Sequence, residues 1–64
     1  MPERHPELSR VALAQSVESE DGQLVPAGST GTVVYVYPEE AAYEVEFSRP
    51  FHALATVAAK YIKE

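Results

Sequence analysis

The chain has 64 residues, a formal net charge of −5 and no cysteine. This length accommodates one domain, and the lack of cysteine excludes disulfides and thiolate metal sites. Sequence-independent nucleic-acid binding requires a basic face, which an acidic chain disfavours. No apolar run reaches the length of a membrane-spanning helix. We therefore expect a cytoplasmic domain with no membrane segment and no nucleic-acid partner.

The first half of the chain contains one strand and a long loop. Residues 1–7, with two prolines and several charges, predict a flexible arm before the domain. The Val-rich segment 10–16 predicts a strand, although its alanines and leucine leave a helix as the alternative. Residues 18–28 are polar and contain the turn signal Asp21-Gly22, so they predict a long loop.

The second half predicts strands in close succession. Residues 31–37 are rich in Val and Tyr, which favour strands, and Pro38 ends this segment because proline donates no ladder hydrogen bond. Residues 43–47 alternate between apolar and acidic side chains, as a half-buried strand does. Residues 51–56 predict a fourth strand, and a short 3-10 turn precedes a last strand over 61–63.

These elements together predict the fold class. Five short strands with polar turns are typical of a small all-β domain, an SH3-like barrel over residues 8–64. Gly28 and Gly31 are predicted to form a structural turn before the second strand, because glycine accepts positive φ angles. A phosphate-binding loop is the alternative, but it requires a wider glycine spacing, a lysine and a following helix.

The strand over residues 31–37 has more apolar side chains than one core face can use. One face fills the core, and the other presents either the two valines or the two tyrosines of its second half. Such a patch is either covered by the arm or a loop, or it contacts a partner. The predicted interface, for a protein partner or a second copy of the chain, comprises Val34, Tyr35, Val36, Tyr37 and Tyr43.

No catalytic, cofactor or metal site is predicted. His5 and His52 are the only histidines, and their spacing matches no metal-ligand motif. Glu44 and Glu46 share a strand face, where a solvated acidic surface is expected because paired carboxylates act in catalysis only inside a cleft. Docking of a basic partner on these carboxylates is the alternative.

Four segments of the chain together resemble a known family. In order they are Val11-Ala12-Leu13, Gly28 to Pro38, Tyr43 to Phe47 and Leu54 to Val57. They are similar to a bacterial family of small uncharacterised proteins, domain of unknown function 4926, although the loop after Phe47 is shorter here. The resemblance implies an SH3-like barrel without established catalytic residues, encoded in gene clusters and mobile elements that suggest antitoxin or immunity roles.

The predicted function is accordingly a small, non-enzymatic protein-interaction module that uses no cofactor or metal. One alternative is an oligomeric barrel enzyme similar to plasmid-type dihydrofolate reductase, whose pore-lining segment is missing here. The other is a KOW-like nucleic-acid or ribosome-associated module, which needs a local basic patch. That patch would have to be formed by Arg4, Arg10, Arg49, Lys60 and Lys63.

Overall fold

The computed structural model describes residues 5–63 and contains strands but no α-helix within them. The all-β prediction is therefore confirmed, with six strands in two sheets where five were predicted. Short 3-10 turns follow the fourth and sixth strands, at Pro38–Glu40 and Ala59–Tyr61. The strands are β1 (Arg10–Ala12), β2 (Val17–Glu18), β3 (Leu24–Val25), β4 (Thr30–Val36), β5 (Ala42–Phe47) and β6 (Ala53–Ala58).

The larger sheet has four antiparallel strands in the order β1-β4-β5-β6. Its two edge strands, β1 and β6, do not pair with each other, so the sheet is open. The segment after β6 returns to β1, where Leu13 forms an isolated bridge with Ile62. The amide of Lys63 donates to the carbonyl of Ala12 over 2.8 Å. The predicted last strand is thus reduced to a single bridge residue.

The smaller sheet begins at Val17 and otherwise lies within the predicted loop over residues 18–28. β2 and β3 form a two-stranded antiparallel hairpin, and the turn between them is organised by Ser19, a buried polar residue. The hydroxyl of Ser19 donates to Asp21 and accepts the amide of Gln23. This side-chain network gives the polar segment a fixed conformation, which its composition alone did not indicate.

The core lies on one face of the β4–β6 sheet, because alternate residues of each strand point to it. Paired rows across the three strands supply fully buried side chains, and β1, β3 and the C-terminal bridge complete the cluster. The core residues are Val11, Leu13, Val25, Val33, Tyr43, Val45, Phe47, Ala55, Val57 and Ile62. Burial of such apolar side chains contributes about 1.5–3 kcal/mol each, which makes this face the main source of stability.

The two predicted turn glycines have different roles. Gly28 has φ +87°, a conformation that favours glycine, and a side chain there would meet open space. Gly31 is not a turn residue, because it lies in the central strand β4 and pairs with Val11 and Phe47. A Cβ atom on Gly31 would lie 2.7 Å from the backbone oxygen of Glu46. The second glycine therefore permits close strand packing, which corrects the turn prediction.

The N-terminal arm predicted over residues 1–7 is described only in part, since residues 1–4 lie outside the described residues. The ring of His5 is half-buried and contacts the ring of Tyr43 edge-on, with centroids 5.4 Å apart. Hydrogen bonds of 2.6 and 2.9 Å then join Leu8 and Ser9 to the backbone of Val33. The chain entering β1 thus extends the pairing of that strand along β4.

Candidate protein-interaction surface

A β-bulge in β4 decides which side chains of this strand face outward. Val33 pairs with Val45 and Tyr35 pairs with Glu44, so Val34 is an extra residue between the two pairs. A bulge residue resets the alternation of a strand. As a result Val33 points into the core, whereas Val34 and Tyr35 are 38% and 49% exposed.

Beyond the bulge, the tyrosines and not the valines take the outward positions. Val36 pairs with the buried Tyr43 and packs against the core. Tyr37 is half-buried and its ring meets the ring of Tyr35 edge-on, at 4.9 Å between centroids. Edge-to-face aromatic pairs are favourable in this geometry. The two rings therefore pack against each other.

Cross-strand pairing places the tyrosine pair beside polar residues of β5 and β6. Tyr35, Glu44 and Thr56 form one row across the three strands, because Glu44 pairs with both neighbours. The next row contains Glu46 and Leu54, which pair with each other. The outer face of β4–β6 is defined here by Tyr35, Tyr37, Glu44, Glu46, Leu54 and Thr56.

Glu44 is the centre of the hydrogen bonds on the outer face. Its Oε1 atom accepts the hydroxyl of Thr56 at 2.6 Å and the hydroxyl of Tyr37 at 3.3 Å. Burial raises the pKa of Glu44, but hydrogen bonds from Glu20, Thr56 and Tyr37 outweigh burial and hold this pKa below its ordinary value. Donors that stabilise the charged form have this effect. The carboxylate of Glu44 is therefore ionised at neutral pH.

Glu20 comes to the outer face from the turn between β2 and β3. Its amide donates to the carbonyl of Leu54 over 2.8 Å, which fixes the turn against the edge of β6. Its side chain hydrogen-bonds to Glu44, and this bond, together with the charge of Glu44, raises the pKa of Glu20 above its ordinary value. Two carboxyls from distant segments are thus coupled at one edge of the outer face.

A shallow depression of about 340 Å³ continues the outer face past Leu54. It lies between the β2–β3 turn and the start of β6, and its rim carries Glu20, Asp21 and Glu46 together with His52. The exposed apolar surface of Leu54 adjoins it. The acidic character of the outer face therefore extends onto a concave surface.

The predicted interface residues divide between the surface and the core. Val34, Tyr35 and Tyr37 lie on or beside the outer face. Val36 turns inward, and Tyr43 is 1% exposed, so its ring belongs to the core. Tyr43 shares a strand face with Val45 and Phe47, and this alternation was the available signal for its burial. Sequence reasoning also missed Glu20, because no local pattern relates it to Glu44.

Among the described residues, the basic side chains lie in several different places. The guanidinium of Arg10 donates to the hydroxyl of Thr30 at 3.2 Å, at the opposite edge of the sheet. Arg10 lines a depression of about 260 Å³ with Lys63 and His5. The ammonium of Lys60 is 5.2 Å from the ring centroid of Tyr61. Arg4, the fifth basic residue, lies outside the described residues.

Within residues 5–63, no group of three or more metal-ligating side chains has an arrangement that could hold an ion. In the same part of the chain, no helix has the length and apolar character needed to cross a bilayer.

Comparison with known proteins places the chain in a family. Residues 7–50 match the family described as "Domain of unknown function (DUF4926)". The chain belongs to this family. The match spans β1 to β5, so it includes Tyr35, Glu44 and the bulge residue Val34. Neither the curated proteins nor the solved structures contain a match.

Proposed function

We propose that this protein is a small protein-interaction module that binds a partner protein through Val34 and the outer face of β4–β6. The observation that carries the proposal is the bulge at Val34, which leaves two adjacent large side chains exposed on a strand whose opposite face is core. Aromatic residues are enriched at protein interfaces, and tyrosine combines contact area with low entropy cost. The proposed action is binding without catalysis, in the cytoplasm.

We further propose that the domain is an SH3-like barrel, the fold that the family resemblance implies. Support comes from the path of the chain after β6, which passes through a 3-10 turn to the bridge between Leu13 and Ile62. This segment covers the free edge of β1. The β2–β3 turn meanwhile contacts the edge of β6 through the hydrogen bond from Glu20 to Leu54. Both sheet edges are thereby partly covered, which limits unspecific strand pairing.

The interaction proposal is tested by comparing matched serine substitutions. Val34→Ser and Tyr35→Ser remove apolar surface from the proposed interface, whereas Leu24→Ser removes it from β3, where Leu24 is 65% exposed. The tagged variants are used to capture the products of neighbouring genes, toxins first. Sedimentation equilibrium measures self-association, and thermal unfolding confirms that each variant is folded.

A partner that binds the wild type and Leu24→Ser but not the two β4 variants supports the proposal. Self-association that is lost in the same pattern supports it with a second copy as the partner. Binding that survives both β4 substitutions places the interface elsewhere and contradicts the proposal. A strictly monomeric protein with no bound partner also contradicts it.

A further inference from the structure

We propose that the outer face of β4–β6 recognises a cationic side chain, arginine or lysine, on a basic segment of the partner protein. This inference rests on the proposed function and specifies the chemistry of the occupant. It combines two observations made on one surface, namely the carboxylates around Glu44 and the exposed ring of Tyr35.

The carboxylates provide the charge. Glu44 lies at the centre of the face, and Glu46 lies in the next row of β5. Glu20 and Asp21, in the β2–β3 turn, line the adjoining depression together with Glu46. The hydroxyls of Thr56 and Tyr37 orient the Glu44 carboxylate. Orientation before binding lowers the entropy cost of association. A partner cation would therefore meet an anionic group that is already held in place.

The tyrosine ring provides a surface on which a cation can stack. Tyr35 pairs directly with Glu44, and residues in such cross-strand pairs have Cβ atoms about 4.5–5.5 Å apart. A guanidinium group stacks on aromatic faces and pairs with carboxylates through its planar N–H donors. Cation–π contact adds to the charge attraction when the cation lies within about 6 Å of the ring centroid. The Tyr35–Glu44 pair combines both elements.

Charge complementarity identifies a basic partner as the occupant in preference to a second copy. Two copies of this chain would each bring a net charge of −5, which opposes their association. The chain's own cations at the opposite sheet edge are engaged with Thr30 or adjoin the depression beside His5. A basic segment on another protein is attracted over a longer range, and this attraction also accelerates association.

The test uses the isotope-labelled 64-residue chain and two small probes. N-acetyl-arginine amide carries the guanidinium cation, and N-acetyl-citrulline amide has nearly the same shape without the charge. Both are titrated into the protein while the backbone and tyrosine ring signals are recorded by NMR. We expect the arginine probe to shift the signals of Tyr35 and Glu44 at millimolar concentration, and the citrulline probe to leave them unchanged.

Matched neutral variants then show which carboxylates contribute to binding of the arginine probe. Glu44→Gln and Glu46→Gln each remove one carboxylate from the outer face, whereas Glu39→Gln removes the same charge from the turn after β4. We expect a three- to tenfold weaker arginine affinity for each outer-face variant, a range that corresponds to about 0.6–1.4 kcal/mol. The control should bind like the wild type. Glu46 is exposed, so its variant tests the proposal even if Glu44→Gln unfolds.

The outcomes separate this proposal from the proposed function. Equal shifts with both probes, or equal weakening by Glu39→Gln, would mean that no specific cation site exists and would overturn the inference. An arginine-induced shift confined to the depression beside Lys63 would also overturn it. The proposed function is decided by the serine variants of β4 and is unaffected by these results. Loss of partner binding in those variants, without any arginine effect, would indicate a purely apolar interface.

Discussion

The two faces of the β4–β6 sheet differ in the substitutions that their positions tolerate. The inner face presents rows such as Val33, Val45 and Ala55, all completely buried. The outer face presents the row Tyr35, Glu44 and Thr56, in which an exposed ring lies beside an oriented carboxylate. Core positions are restricted by volume and packing, whereas the outer row is restricted by neither. The outer row is therefore the part of the sheet where function can be altered without loss of the fold.

The largest expected effect is the difference in stability between deleting the bulge residue of β4 and deleting a regularly paired residue of β5. Deleting Val34 removes the bulge residue and leaves Val33, Tyr35 and Val36 with their present partners, so we expect the variant to fold. Deleting Val45 shifts the rest of β5 by one residue and exchanges its two faces. We expect that variant to be unfolded. Circular dichroism and urea unfolding of both deletions measure this contrast.

Unfolding of both deletion variants would show that the bulge itself is required for stability. Stable folding of the Val45 deletion would contradict the assigned register of β5. A folded Val34 deletion also offers a variant that lacks one proposed interface residue while it retains the core.

A smaller effect is expected from alanine at the two glycines described above. Gly31→Ala places a Cβ atom against backbone and core atoms of β5, and overpacking of this kind costs about 1–3 kcal/mol or more. Gly28→Ala meets no neighbouring atom but keeps φ +87°, a conformation that costs a non-glycine residue about 1–2 kcal/mol. Urea unfolding should rank Gly31→Ala below Gly28→Ala in stability. The reverse ranking would contradict the close approach at Gly31.

The smallest expected effect is the pH dependence of the Glu44–Glu20 pair. Because the pKa of Glu44 is lowered, its charged form stabilises the fold above the ordinary pKa of a glutamate, and this contribution is lost as pH falls. We expect Glu44→Gln to be less stable than the wild type at pH 7 by under about 1 kcal/mol, since the group is partly solvated. The difference should shrink in acid.

The sign is opposite for Glu20, whose pKa is raised by Glu44. Its charged form opposes folding above its folded-state pKa, so Glu20→Gln should be at least as stable as the wild type at pH 7. This advantage should disappear in acid, where Glu20 binds its proton. Urea unfolding at neutral and acid pH measures the stability of each variant relative to the wild type. If both variants were less stable than the wild type at pH 7, or both more stable, the opposite effects expected for Glu44 and Glu20 would be contradicted.

The sequence predicted the strands that carry strong alternation. β5 was predicted over 43–47 and observed over Ala42–Phe47, and β4 was displaced by one residue. β6 is displaced by two residues, because Val57 and the alanine after it predict the start of a helical turn. Alanine favours helix in isolation, but pairing with Tyr43 and Ala42 outweighs that preference here.

The candidate site was harder to predict because it depends on long-range pairing. The run Val33-Val34-Tyr35-Val36 is apolar throughout, so its composition cannot show which residue forms the bulge. The contact between Glu20 and Glu44 joins the β2–β3 turn to the sheet, and no local pattern contains that information. The tyrosine and valine surplus nevertheless indicates the strand that contains the bulge and the exposed side chains of Val34 and Tyr35.

The pairing of Leu13 with Ile62 has a consequence for the order of folding. The β4–β5 and β5–β6 hairpins join strands that are adjacent in sequence, whereas this bridge joins residues near the two ends of the described chain. Closing a longer loop costs more chain entropy, so we expect the bridge to form last and to open first. Amide hydrogen exchange reports that order, with Ala14, bonded to Tyr61, exchanging before Val45.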